Sequence, residues 1–250
     1  MILFRTSYIA ETARKYSWMM NGTTRKRIFP FIWPWQNASG ASLTPGKLVA
    51  TRCFTIIYLV IIWSIIGLLG FASTWDCKST WQLALQCEFA FWIRNLSTEP
   101  ILFLRNLFTT PFIHNGLDHI LFVTVLGLLL MVQSYEAHFG TRKTIIMFLL
   151  AYLVVAPFFA VLYTVLIHYY PGSEFLNYVM SRNWVGGSIG MFQVYGALAV
   201  ISRRPLIMLA APVLFEAFNL MVIEIHPQIS IMHLTCTFVG YGLQSTLNWK

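Results

Sequence analysis

The stretch GGSIGMFQVYG, from Gly186 to Gly196, is rich in glycine, lies inside a hydrophobic tract and holds one serine, Ser188. A serine in such a place has two readings. It packs one helix against another, as small polar residues commonly do in membranes, or it is a nucleophile waiting for a base.

The surroundings favour a membrane. A chain of 250 residues with mean hydropathy +0.65, 57% hydrophobic and only 10% charged, carries more apolar surface than one soluble core can bury. The formal net charge of +8 invites a nucleic-acid reading, but the basic residues gather at the N-terminus and at short joints between apolar tracts. That distribution points to anionic lipid headgroups and away from nucleic acid.

Six tracts have roughly the length a bilayer needs: 50–71, 116–135, 144–169, 185–201, 205–223 and 230–247. An even number puts both termini on one side. That side collects Arg5, Arg14, Lys15, Arg25, Lys26, Arg27, Lys47, Arg52, Arg142, Lys143, Arg203, Arg204 and Lys250, which is 13 of the 17 Lys and Arg. The positive-inside bias therefore predicts cytoplasmic termini.

Residues 1–49 read as a cytoplasmic basic and aromatic segment, and residues 50–250 as a six-helix transmembrane domain. MILFRTSYIA lacks an apolar core followed by a small-residue cleavage site, so no signal peptide is expected. The basic run Arg25–Arg27 followed by FPFIWPW suits the headgroup layer. Residues 72–115 are too many for an ordinary connection, and Trp75, Trp81, Leu83, Leu85 and Trp92 predict a structured loop lying on the outer leaflet. Cys77 and Cys87 both fall in that loop, where a disulfide is redox-permitted, and the bridge and two free thiols both stay open. With neither CxxC nor HExxH, a metal site has little support.

Polar residues inside the membrane are costly and so are candidates for function. Ser188 near the start of the fourth tract, His233 near the start of the sixth and His119 near the start of the second fall in one layer near the outer face. A serine hydroxyl needs a base, and neutral imidazole suits that task. Phe192, one turn from Ser188 on the same face, is placed to support the His233 ring. Gly186 with Gly190, and Cys236 with Gly240, form small-xxx-small pairs expected to let the fourth and sixth helices approach closely. Glu216, inside the fifth tract, is expected to face the interior as a buried, hydrogen-bonded structural acid.

Taken together, the pattern over about 105–247 resembles the rhomboid family of intramembrane serine proteases. GGSI at Gly186–Ile189 supplies the first glycine and the serine of that family's GxSG turn. Phe192 and the Gly196–Ala197 step follow in register. FIHNGLDHILF carries the two histidines, His114 and His119, with four residues between them. YEAHFGTRK (Glu136, His138, Gly140, Arg142) resembles the joint after the second helix, and His233 with Gly240 repeats the sixth-helix spacing.

The resemblance implies a six-helix rhomboid core with a long outward loop between its first two helices. In it Ser188 attacks a peptide bond, His233 serves as base and then acid, and His119 with the Ser188 N–H stabilises the oxyanion. His114, Gly186, Phe192 and Gly240 support them, the substrates are transmembrane proteins cut near the outer boundary, and no cofactor is required. Three positions depart from the pattern: Ile189 follows the serine in place of glycine, Cys236 stands where a glycine follows the base, and Val123 replaces an asparagine. These departures keep open an inactive rhomboid-like protein that binds transmembrane helices. Glu216, Asn219, Glu136 and Asp118 keep a transporter in view, although no internal repeat supports one.

Overall fold

A computed structural model describes residues 27–73, 75–223 and 225–247. Arg5, Arg14, Lys15, Arg25, Lys26 and Lys250 of the charge count, and most of the N-terminal segment, lie outside the described residues. Those described are helical, with β pairing confined to two isolated bridges.

Pro45 opens helix α1 (Pro45–Thr51), its fixed φ suiting the first helical position. The chain bends by 86° at Arg52 into α2 (Cys53–Leu69). The N–H groups that begin α2 have no carbonyl of their own helix to meet. Glu136 meets them: its carboxylate accepts from the Phe54 N–H (2.9 Å), the Thr55 N–H (3.0 Å) and the Thr55 hydroxyl (2.8 Å). An acid at a helix N-terminus is also favoured by the helix dipole. The joint that the sequence marked with Glu136 thus pins α2 from a distance.

Between α2 and the next long helix, the described residues form three short α-helices, α3 (Trp81–Phe89), α4 (Asn95–Thr98) and α5 (Pro100–Thr109), and a 3-10 turn at Thr110–Phe112. They pack through Phe103 and Leu107, both in the core. A Cys77–Cys87 disulfide ties the segment before α3 to that helix, which decides the alternative left open by the sequence. The fully buried Asn106 amide donates to the carbonyls of Glu88 (3.0 Å) and Ala90 (2.6 Å).

Helices α6 (Leu117–Phe139) and α7 (Thr141–Tyr169) are each long and apolar enough to cross a membrane, and the bent α1–α2 pair is a candidate third. Gly140 makes the turn between α6 and α7 at φ +81°, a conformation that favours glycine. After α8 (Glu174–Ser181) comes α9 (Ser188–Ala199), in which every residue except Ile189 is buried. At 12 residues α9 is about 18 Å long, short of the roughly 30 Å of a hydrocarbon core. The full-length tract 185–201 is therefore corrected to a short central helix, because the chain before Ser188 is held in an extended bridge.

Helix α10 (Pro205–Met221) contains Pro212, whose missing N–H frees the Met208 carbonyl four residues back. The Tyr195 hydroxyl of α9 donates to that carbonyl at 2.7 Å. Helix α11 (Pro227–Thr246) then lies along α9 in the most extensive helix contact among the described residues. A Cβ at Gly196 would sit 2.7 Å from the Thr237 carbonyl carbon, and one at Gly240 2.7 Å from that of Gln193. The expected small-residue contact is thus corrected: Gly196 and Gly240 make it, while Gly190 faces the Phe148 ring of α7 and Gly186 faces His119.

The outer surface is apolar. Ile57 and Val60 on α2, Phe158 and Val161 on α7, and Leu214 and Phe218 on α10 are all exposed, compatible with a membrane environment. Before α1, Ile32 is buried and its N–H donates to the Ser134 hydroxyl (2.9 Å), while Trp33 and Trp35 stack on each other at the surface.

Candidate active site

Ser188 is the first residue of α9, and the turn before it is tightly held. Trp184 pairs with Phe91 through reciprocal backbone hydrogen bonds of 2.8 and 3.1 Å. The Gly186 N–H donates to the Thr110 carbonyl (3.2 Å), and the Gly186 carbonyl accepts from the Tyr152 hydroxyl (2.8 Å). Gly186 has φ +105°, and a Cβ there would come 2.8 Å from His119 Nε2. Both its backbone and its neighbour exclude a side chain. At Gly187, a Cβ would press on the Tyr58 hydroxyl.

Ser188 Oγ lies 2.9 Å from His233 Nε2, although 45 residues separate them. Neither Ile189 nor Cys236 holds the pair apart. Ile189 lines the cavity beside them, and Cys236 is enclosed in the core. Phe192 stacks on the His233 ring, with centroids 4.2 Å apart and planes 15° apart. The Thr237 hydroxyl, one turn on, caps the His233 carbonyl at 3.0 Å.

His233 has a second polar neighbour, one that nothing in the sequence pairs with it. Its Nδ1 lies 2.7 Å from Glu216 Oε1, and Glu216 Oε2 accepts from the Ser230 hydroxyl (2.6 Å) and the Asn219 amide (3.4 Å). Glu216 is 1% exposed. The buried, inward-facing acid was legible as such; its contact with His233 was not. The one sequence signal was an acid inside an apolar tract, where charge is tolerated only with partners.

His119 lines the same cavity as Ser188 and His233. Its ring covers Gly186 and leans on His114, with centroids 5.1 Å apart. His114 is buried behind it in the short non-helical link before α6. Burial, reinforced by the charge of His119, pushes His114 down to about 3, so it is neutral. Val123, one turn beyond His119, is fully buried and does not line the cavity.

The cavity has a volume of about 510 Å³ and carries the pair Ser188–His233 in its wall. Apolar Phe122, Phe215, Ile229 and Met232 line it beside polar Asn115, Asn219 and Gln228. The first N–H groups of α9 have no intrahelical acceptor and sit at the positive end of a helix, a setting suited to developing negative charge. The arrangement can remove the Ser188 proton, present Oγ to an electrophile and stabilise an oxyanion. No protein-family model, curated protein or solved structure matches the chain, so a functional reading rests on this geometry.

Proposed function

We propose that the chain is a rhomboid-type intramembrane serine endopeptidase, with a six-span core and cytoplasmic termini, that cleaves transmembrane protein substrates near the outer membrane boundary. The observation that carries this reading is the 2.9 Å contact between Ser188 Oγ and His233 Nε2 in the wall of a largely apolar cavity. His233 takes the proton from Oγ as Oγ bonds to the carbonyl carbon of the scissile peptide. The carbonyl oxygen becomes an oxyanion within reach of the α9 N-terminal N–H groups and His119. His233 then gives its proton to the leaving amine as the C–N bond breaks. Water, deprotonated by the same imidazole, releases the acyl group and restores Ser188.

The test uses the full chain in proteoliposomes, a fluorophosphonate probe and a transmembrane reporter substrate. Wild type should be labelled at Ser188 and should cut the reporter, and Ser188→Ala and His233→Ala should each lose both activities while folding normally. His119→Ala should slow cleavage by about 10²-fold or more without removing it, since backbone donors remain. Folded wild-type protein that takes no label at Ser188 would replace the protease with an inactive protein that binds transmembrane helices.

A further inference from the structure

Resting on the hydrolase reading, we propose that Glu216 is the positioning residue of a Ser188–His233–Glu216 triad, fixing the imidazole tautomer that lets His233 act as base. The inference starts from donors and acceptors. An ionised carboxylate only accepts hydrogen bonds. Glu216 spends Oε2 on two side chains that can donate to it, the Ser230 hydroxyl at 2.6 Å and the Asn219 amide at 3.4 Å. Its other oxygen, 2.7 Å from His233 Nδ1, then requires a proton on that nitrogen. A neutral imidazole carries only one ring proton. With it on Nδ1, the lone pair of Nε2 faces Ser188 Oγ at 2.9 Å. The opposite tautomer would put an N–H against the serine hydroxyl and leave no base.

Helical spacing builds this arrangement. Ser230 and His233 are three apart on α11, and Glu216 and Asn219 three apart on α10, so each pair shares a face and the two faces meet. Phe192 clamps the ring from one side, which leaves Glu216 to set its rotation and proton position. When Oγ attacks, the proton passes to Nε2 and the ring becomes an imidazolium beside the Glu216 carboxylate. Glu216 itself gains no proton and forms no bond to substrate.

Glu216→Gln keeps the size and replaces an obligate acceptor by an amide that can turn its NH2 toward Nδ1, selecting the wrong tautomer. It should lower kcat by about 10²–10⁴-fold while leaving KM little changed. Glu216→Asp, which keeps the carboxylate on a shorter stem, should recover part of that loss. Independently of activity, nitrogen-15 NMR of wild type labelled in histidine should find His233 protonated on Nδ1 and bare on Nε2 at neutral pH. Wild-type kcat in Glu216→Gln, or an Nε2–H tautomer in wild type, overturns the inference while leaving Ser188 labelling and the hydrolase reading intact. Should Glu216→Gln not fold, the wild-type tautomer alone decides. Folded wild-type protein that takes no label at Ser188 overturns both.

Discussion

Gly196→Ala adds one methyl group at the point where α9 and α11 touch. The new Cβ would stand 2.7 Å from the Thr237 carbonyl carbon and 3.0 Å from its Cα, with the carbonyl oxygen nearer still. Carbon atoms prefer about 3.5–4.0 Å, so the helices must part by about 1 Å at this level. Both sides of the clash are backbone, so no side-chain rotation relieves it. Overpacking of this kind costs about 1–3 kcal/mol, and alanine's better helix propensity returns about 1 kcal/mol. A net loss near the upper end, about 2 kcal/mol, is expected. The functional effect should be larger. Thr237 lies one turn from His233, so the displacement reaches that imidazole directly, and a 2.9 Å hydrogen bond lengthened by about 1 Å is no longer one. A misplacement of that size can cost about 10²-fold in rate. The assay is fluorophosphonate labelling rate and thermal unfolding in the same detergent, with Gly242→Ala as control, since a Cβ at Gly242 meets nothing within 4 Å. If Gly196→Ala unfolds and labels like Gly242→Ala, the close α9–α11 contact is not what holds Ser188 to His233.

Other perturbations test the frame around the site. His114 is held down to about 3 by burial and by the nearby His119, below its ordinary value of 6.5, so below pH 6.5 the unfolded chain binds a proton that the folded one refuses. Stability should therefore fall as pH drops from 6.5 toward 3, by up to about 1.4 kcal/mol per pH unit. His114→Gln should flatten that slope, and a wild-type Tm unchanged between pH 6.5 and 4 would refute the account. Replacing Cys77 and Cys87 by serine opens a loop with a sequence separation of 10 and should cost about 2–3 kcal/mol. Equal Tm for that variant and oxidised wild type would show that the bridge constrains nothing. Glu136→Ala strips the start of α2 of its acceptor and strands the Thr55 hydroxyl and two N–H groups, so it should cost at least about 1–3 kcal/mol in unfolding assays; a smaller loss would mean that water replaces the carboxylate.

The sequence by itself determined the class of the molecule, because apolar composition and the placement of charge are properties of residues and need no contacts. It also marked Ser188, His119 and His233 as one layer, since each stands near the start of its apolar tract and chain direction alone sets that depth. It marked Glu216 as an acid that had to face inward. What it could not contain is how each helix is rotated about its own axis. Gly186, Gly190, Gly196 and Gly240 look alike as small residues, yet only Gly196 and Gly240 meet a partner's backbone, because the extended bridge of Trp184 with Phe91 fixes where α9 begins and hence which way each residue points. The same rotation, pinned for α10 by Tyr195 on the Met208 carbonyl, brings Glu216 to His233 across 17 residues of chain. A spacing within one helix can be read from sequence; a 2.7 Å contact between two helices exists only once their packing is settled.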